Sequence, residues 1–74
     1  MFVWGDFIPV AKIIELVGCS NKSWEYAVKE AIKRASKTVR NIRGVDVLGQ
    51  KAIVKDSKIV EYRVHVKIAF SVEE

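Results

Sequence analysis

Twelve consecutive residues near the end of the chain constrain its fold more than any other feature. From Glu61 they read Glu-Tyr-Arg-Val-His-Val-Lys-Ile-Ala-Phe-Ser-Val. Tyr62, Val64, Val66, Ile68, Phe70 and Val72 alternate with Glu61, Arg63, His65, Lys67 and Ser71. A period of two over this length makes a β-strand with one apolar and one polar face. The apolar face has to be covered by another part of the chain. In a chain of 74 residues the polar face is the natural place for a ligand or a second subunit.

The rest of the chain supplies the cover. A first strand is expected over Val10 to Val17, ending in a tight turn at Gly18. Ser20 is expected to cap the helix that follows, with Asn21 and Ser23 as competitors for that role. Trp24, Ala27, Val28, Ala31, Ile32, Ala35 and Val39 recur at steps of three and four, one continuous apolar stripe. Lys22, Lys29, Lys33, Lys37 and Arg40 fall mainly elsewhere and give a wet basic face. Asn41 and Gly44 end the helical pattern. A second strand then runs from about Arg43 to Val54, with Gly49 as a candidate bulge or bend. Lys55-Asp56-Ser57-Lys58 is a short polar hairpin turn leading into the last strand. The fold class is therefore α+β: a β-α-β-β order, with a three-stranded antiparallel sheet packed on one amphipathic helix and its first and third strands adjacent.

One helix covers one side of such a sheet and leaves the other bare. A chain this short buries only roughly 60% of its unfolded surface, yet 50% of its residues are hydrophobic. Self-association is the expected resolution. Cys19 is the only cysteine and His65 the only histidine, which excludes an internal disulfide and a zinc site of thiolates and imidazoles from one chain. Residues 1–9 read as an N-terminal arm and 10–74 as the folded domain. The arm, with Phe2, Val3, Trp4, Phe7 and Ile8 interrupted by Asp6, is too short to span a bilayer and lacks a basic leader, so a cytoplasmic protein without a membrane partner is expected. The net charge of +4 does not identify a nucleic-acid binder without base-stacking aromatics or a recognition motif, and no such partner is expected.

The run from Lys12 to Val72 resembles the dodecin family of small flavin-binding proteins, which share the β-α-β-β order. The resemblance rests on Glu15-Leu16-Val17-Gly18-Cys19-Ser20, on Ser23-Trp24-Glu25 with Ala27 and Ala31, on Arg34-Ala35-Ser36-Lys37-Thr38-Val39-Arg40-Asn41-Ile42, and on Tyr62-Arg63-Val64 through Ala69-Phe70. It implies a hollow homo-dodecamer with helices outward and sheets around the interior. In flavin-binding members a tryptophan after the helix stacks on the isoalloxazine ring and a glutamine in the last strand hydrogen-bonds to it. By position these fall on Gly44 and Arg63, so the resemblance implies the assembly while the two flavin contacts are replaced.

The candidate ligand-binding residues are Gly44, Asp46, Arg63, His65 and Lys67. The guanidinium of Arg63 suits phosphate or carboxylate because its donors form a planar fork. Glu15 and Glu61 are expected at an interface, with Glu15 paired to Arg63 or Lys67 across strands or subunits. Gly18-Cys19-Ser20 offers backbone amides for an anion beside a helix start, most simply read as a plain strand-to-helix turn. Catalysis needs complementary groups in a sheltered pocket, and one subunit offers no such set. The expectation is a non-enzymatic, dodecin-like assembly that binds or stores a small aromatic or anionic ligand. A ligand-free scaffold and a calcium-binding shell are the alternatives. Flavin and calcium are the cofactors to be weighed, and calcium would draw on Asp46, Asp56 or main-chain oxygens at a subunit junction.

Overall fold

The computed structural model describes residues 10–72, so the arm expected over 1–9 lies outside the described residues. The chain forms β1 (Ala11–Ser20), α1 (Trp24–Ala35), β2 (Ile42–Lys55) and β3 (Lys58–Ser71). The strands make one antiparallel sheet in the order β1-β3-β2. The alternating strand identified from sequence is thus the central one. Val64, Val66 and Ile68 on its apolar face are 0% exposed, and each such burial contributes roughly 1.5–3 kcal/mol.

Helix α1 lies over β1 and β3. It presents Ala27, Ala31 and Ala35 to the core, with Ile14, Leu16, Trp24 and Val28 packed around them. The indole of Trp24 meets the Tyr62 ring edge-on, with centroids 4.9 Å apart, and closes one end of the core.

Two local expectations are corrected. Gly18 is not a turn residue: β1 continues through it to Ser20. Its glycine is required because the helix passes close overhead, and a β-carbon there would collide with the Ala27 carbonyl oxygen and lie 3.0 Å from the Ala31 Cβ. Since the strand runs on, the turn shrinks to Asn21-Lys22-Ser23, and the cap is Ser23, whose Oγ accepts from the Tyr26 amide at 3.1 Å. Ser20 instead accepts from the Lys22 amide at 2.9 Å within the turn.

The helix stops at Ala35, short of the full apolar stripe. The amides of Thr38 and Val39 both bond back to the Ala35 carbonyl at 3.0 Å, so Val39 reaches the core from the turn after the helix. Asn41, at φ 59°, turns the chain into β2; its short polar side chain makes it one of the few residues at ease in that left-handed region. At the β2–β3 hairpin, Asp56 (φ 54°) and Ser57 (φ 64°) both take left-handed conformations. This is the two-residue turn whose twist matches a right-twisted strand pair.

Irregularities in β2 decide which of its side chains share a face. The pairing steps from Val47↔Val66 to Gly49↔His65, leaving Leu48 as the extra residue of a bulge. A similar step from Ile42↔Phe70 to Gly44↔Ala69 leaves Arg43 extra. Because strand side chains alternate, each extra residue exchanges the two faces for everything that follows. Gly44 and Asp46 therefore share the open face with Gly49 and Lys51, an even pair followed by an odd pair.

Candidate functional site on the open sheet face

The face of the sheet turned away from α1 is built from rows of residues opposed across the three strands. Ile13, Ala69 and Gly44 form one row, Glu15, Lys67 and Asp46 the next, then Val17, His65 and Gly49, then Cys19, Arg63 and Lys51. Glu61 and Ile53 follow beyond the end of β1. Among the described residues no helix covers this surface, and Ile13 and Val17 remain 49% and 60% exposed. Apolar and charged side chains are thus interleaved on one uncovered sheet face.

All seven residues singled out from sequence lie on this face, but they do not converge. Gly44 is opposed to Ala69, six residues along β3 from Arg63, a separation of roughly 20 Å at 3.2–3.4 Å per residue. Within one chain they belong to opposite ends of the sheet. His65 and Arg63, by contrast, are neighbours along β3, and they line one open cavity of about 340 Å³ together with Val17, Gly49, Gln50 and Lys51.

The ion pairs differ from those expected. Glu15 is opposed to Lys67, yet its Oε1 lies 2.9 Å from His65 Nε2 on the diagonal. Arg63 donates from Nε to Glu61 Oε2 at 2.9 Å, two positions along its own strand. The proposed Glu15 pairings with Arg63 and Lys67 do not form within the chain. The reason is reach: a neighbour two positions away on the same face, or one on the diagonal, satisfies each carboxylate. Asp46 is exposed opposite Lys67 without an ion pair among the described residues.

Glu61 is the electrostatic hub of this end. Its hydrogen bond from Arg63, and then its contact with Cys19, hold its carboxyl below the usual range. The same bond holds the Arg63 guanidinium further above its ordinary value. Cys19 moves the opposite way: loss of solvation against the sheet, then the hydrogen bond to Glu61, raise the thiol above its ordinary value. The thiol is therefore held in its protonated form, the reverse of an activated nucleophile. The anion-binding turn considered at Gly18-Cys19-Ser20 does not form, because Gly18 is buried in the strand beneath the helix.

Lys51, Gln50 and Gly49 were not singled out as site residues from the sequence. The only signal available was Gly49 as a candidate bulge, and parity beyond a bulge depends on where the extra residue falls. Among the described residues no group of three histidine, cysteine, aspartate or glutamate side chains is gathered as a metal would require. No helix among them is long and apolar enough to cross a membrane.

The described residues define a class of small β-α-β-β proteins with one side of the sheet open and chemically mixed. The comparisons with known proteins give that class its family. Residues 10–73 match the dodecin family model. Over 63 residues the chain is 35% identical to calcium dodecin of Mycobacterium tuberculosis, spanning 85% of this chain and 89% of that protein. Over 65 residues it is 34% identical to the dodecin of Thermus thermophilus, spanning 88% and 94%. Among solved structures, the dodecin of Streptomyces coelicolor is similar with a TM-score of 0.83 at 29% identity, covering 88% of this chain and 93% of that one. The calcium dodecin structure from M. tuberculosis, described as having a novel calcium-binding site, is similar with a TM-score of 0.75 at 34% identity, covering 86% and 91%.

The chain belongs to the dodecin family. Members of this family are non-catalytic proteins that bind and store small ligands and typically self-assemble into dodecamers. The expected fold, the non-enzymatic character and the general ligand-binding role follow the family.

Proposed function

We propose that this chain forms a homo-dodecameric shell with its open sheet faces inward, and that these faces hold a small aromatic or anionic ligand other than a tightly bound flavin. The observation that carries this reading is the uncovered face itself, on which Ile13 and Val17 stand exposed beside Arg63, His65 and Lys67. The separation of Gly44 from Arg63 supports a ligand site shared between copies, since one copy cannot bring both to the same small molecule. By resemblance, these two positions carry tryptophan and glutamine in flavin-binding members. Glycine has no ring to stack, which forgoes roughly 0.5–1.5 kcal/mol beyond area burial. An arginine side chain offers only donors, so it accepts nothing from an isoalloxazine N–H. The single free cysteine accords with a cytoplasmic setting.

The test is titration of the purified protein with riboflavin, followed by quenching of flavin fluorescence. Weak or no quenching is the expected result, and tight stoichiometric quenching contradicts the altered-ligand reading.

A calcium-binding shell is the second reading, favoured by the name of the M. tuberculosis relative. Calcium takes six to eight oxygen ligands. Here Glu15 and Asp46 flank Lys67, so the donors would have to come from several copies. Calorimetric titration with calcium of metal-stripped protein separates the readings: heat saturating at a fixed calcium-to-chain ratio supports the second.

A further inference from the structure

The Leu48 bulge has a chemical result. It sets Lys51 on the open face directly opposite Arg63. Two like charges opposed across neighbouring strands are destabilising unless something offsets them. The nearby carboxylate does so only in part: Glu61 engages Arg63 through Nε, and neither terminal guanidinium nitrogen has a hydrogen-bond partner among the described residues. Lys51 makes no ion pair among the described residues.

The next row leaves space beside the cations. Gly49 is opposed to His65, and a β-carbon built on Gly49 meets nothing within 4 Å. An open cavity of about 340 Å³ is bounded by Lys51, Arg63, His65 and Gly49. Two cations, one with an unused planar fork, thus border a gap that no side chain fills among the described residues. An arginine fork and a lysine ammonium are the donors that best match a tetrahedral oxyanion.

We infer that Lys51 and Arg63 form an oxyanion clamp that takes the phosphate or pyrophosphate group of a small ligand, with His65 at its border and Gly49 leaving the room. This rests on the open face being the ligand-binding face, and it names the ligand class for that face. The two flanking carboxylates fit this assignment. Glu61 orients the guanidinium from one edge, while Glu15 is engaged in a 2.9 Å hydrogen bond with His65.

Calorimetric titration with inorganic pyrophosphate and with ADP, on protein whose mass is measured in the same buffer, tests the clamp. Saturable binding is expected, weakening as salt is raised. Lys51→Gln and Arg63→Gln should each lower the affinity at least about tenfold, the scale of one lost charge-assisted hydrogen bond. Lys29→Gln on the outer helix face removes the same charge and should leave the affinity unchanged. Equal affinity for the two probes marks a site for the free ion, and tighter ADP binding marks a site for a nucleotide; both support the clamp. A dodecamer that binds neither probe, or loses affinity equally in all three variants, overturns the clamp and leaves the shell standing. A monomer that binds neither overturns the clamp and the shell together.

Discussion

Gly18 sits directly under Ala27, so close that the helix backbone occupies the space a β-carbon at position 18 would need. This contact sets how tightly α1 packs on the sheet. It also explains why the helix meets β1 with alanines, since Ala27 and Ala31 lie where a larger side chain would lift it away.

Gly18→Ala should destabilise the protein by about 1–3 kcal/mol or more, the usual cost of overpacking. The obstructing atom is backbone, so no side chain can swing aside to relieve it. Denaturant titration followed by tryptophan fluorescence checks this. A variant as stable as the parent would show that α1 shifts freely over β1.

Ser23→Ala should cost about 0.5–2 kcal/mol through loss of the helix cap. Ser20→Ala, which removes only a turn hydrogen bond to the Lys22 amide, should cost less. Comparing the two melting curves separates the cap from its neighbour, and the reverse order would return the capping role to Ser20.

Cys19 should react slowly with iodoacetamide at pH 8, because its raised pKa leaves little thiolate. Glu61→Gln removes the carboxylate that, after lost solvation, does most to hold the proton on. The thiol pKa then falls, the thiolate fraction at pH 8 rises, and alkylation should become faster. Unchanged rates would mean that burial alone governs the thiol.

Much of this was legible in the chain. The period-two run from Glu61 identified the central strand, the steps of three and four identified the helix, and Asp56-Ser57 identified the hairpin. The differences have separate physical causes. Gly18 carries the composition of a turn, while its actual reason is a close approach by a helix that sequence spacing alone does not position. Lys51 was missed because its face depends on a single extra residue, Leu48. The partners of Glu15 and Arg63 were missed because diagonal and same-strand neighbours compete with those directly opposite.

Gly44→Trp should strengthen flavin binding by roughly 2- to 13-fold, the equivalent of 0.5–1.5 kcal/mol for a restored aromatic platform. Flavin fluorescence quenching in parent and variant gives the ratio. No gain would show that position 44 does not border the flavin in this assembly.

The central claim is that the open sheet face is closed by copies of the same chain, and native mass spectrometry of freshly purified protein tests it most directly. The account predicts a species of twelve times the 8.4 kDa chain, with or without the added mass of bound ligand. A monomer or dimer as the sole species would contradict it, leaving the exposed Ile13 and Val17 and the charged rows beside them without the partner on which the proposed site depends.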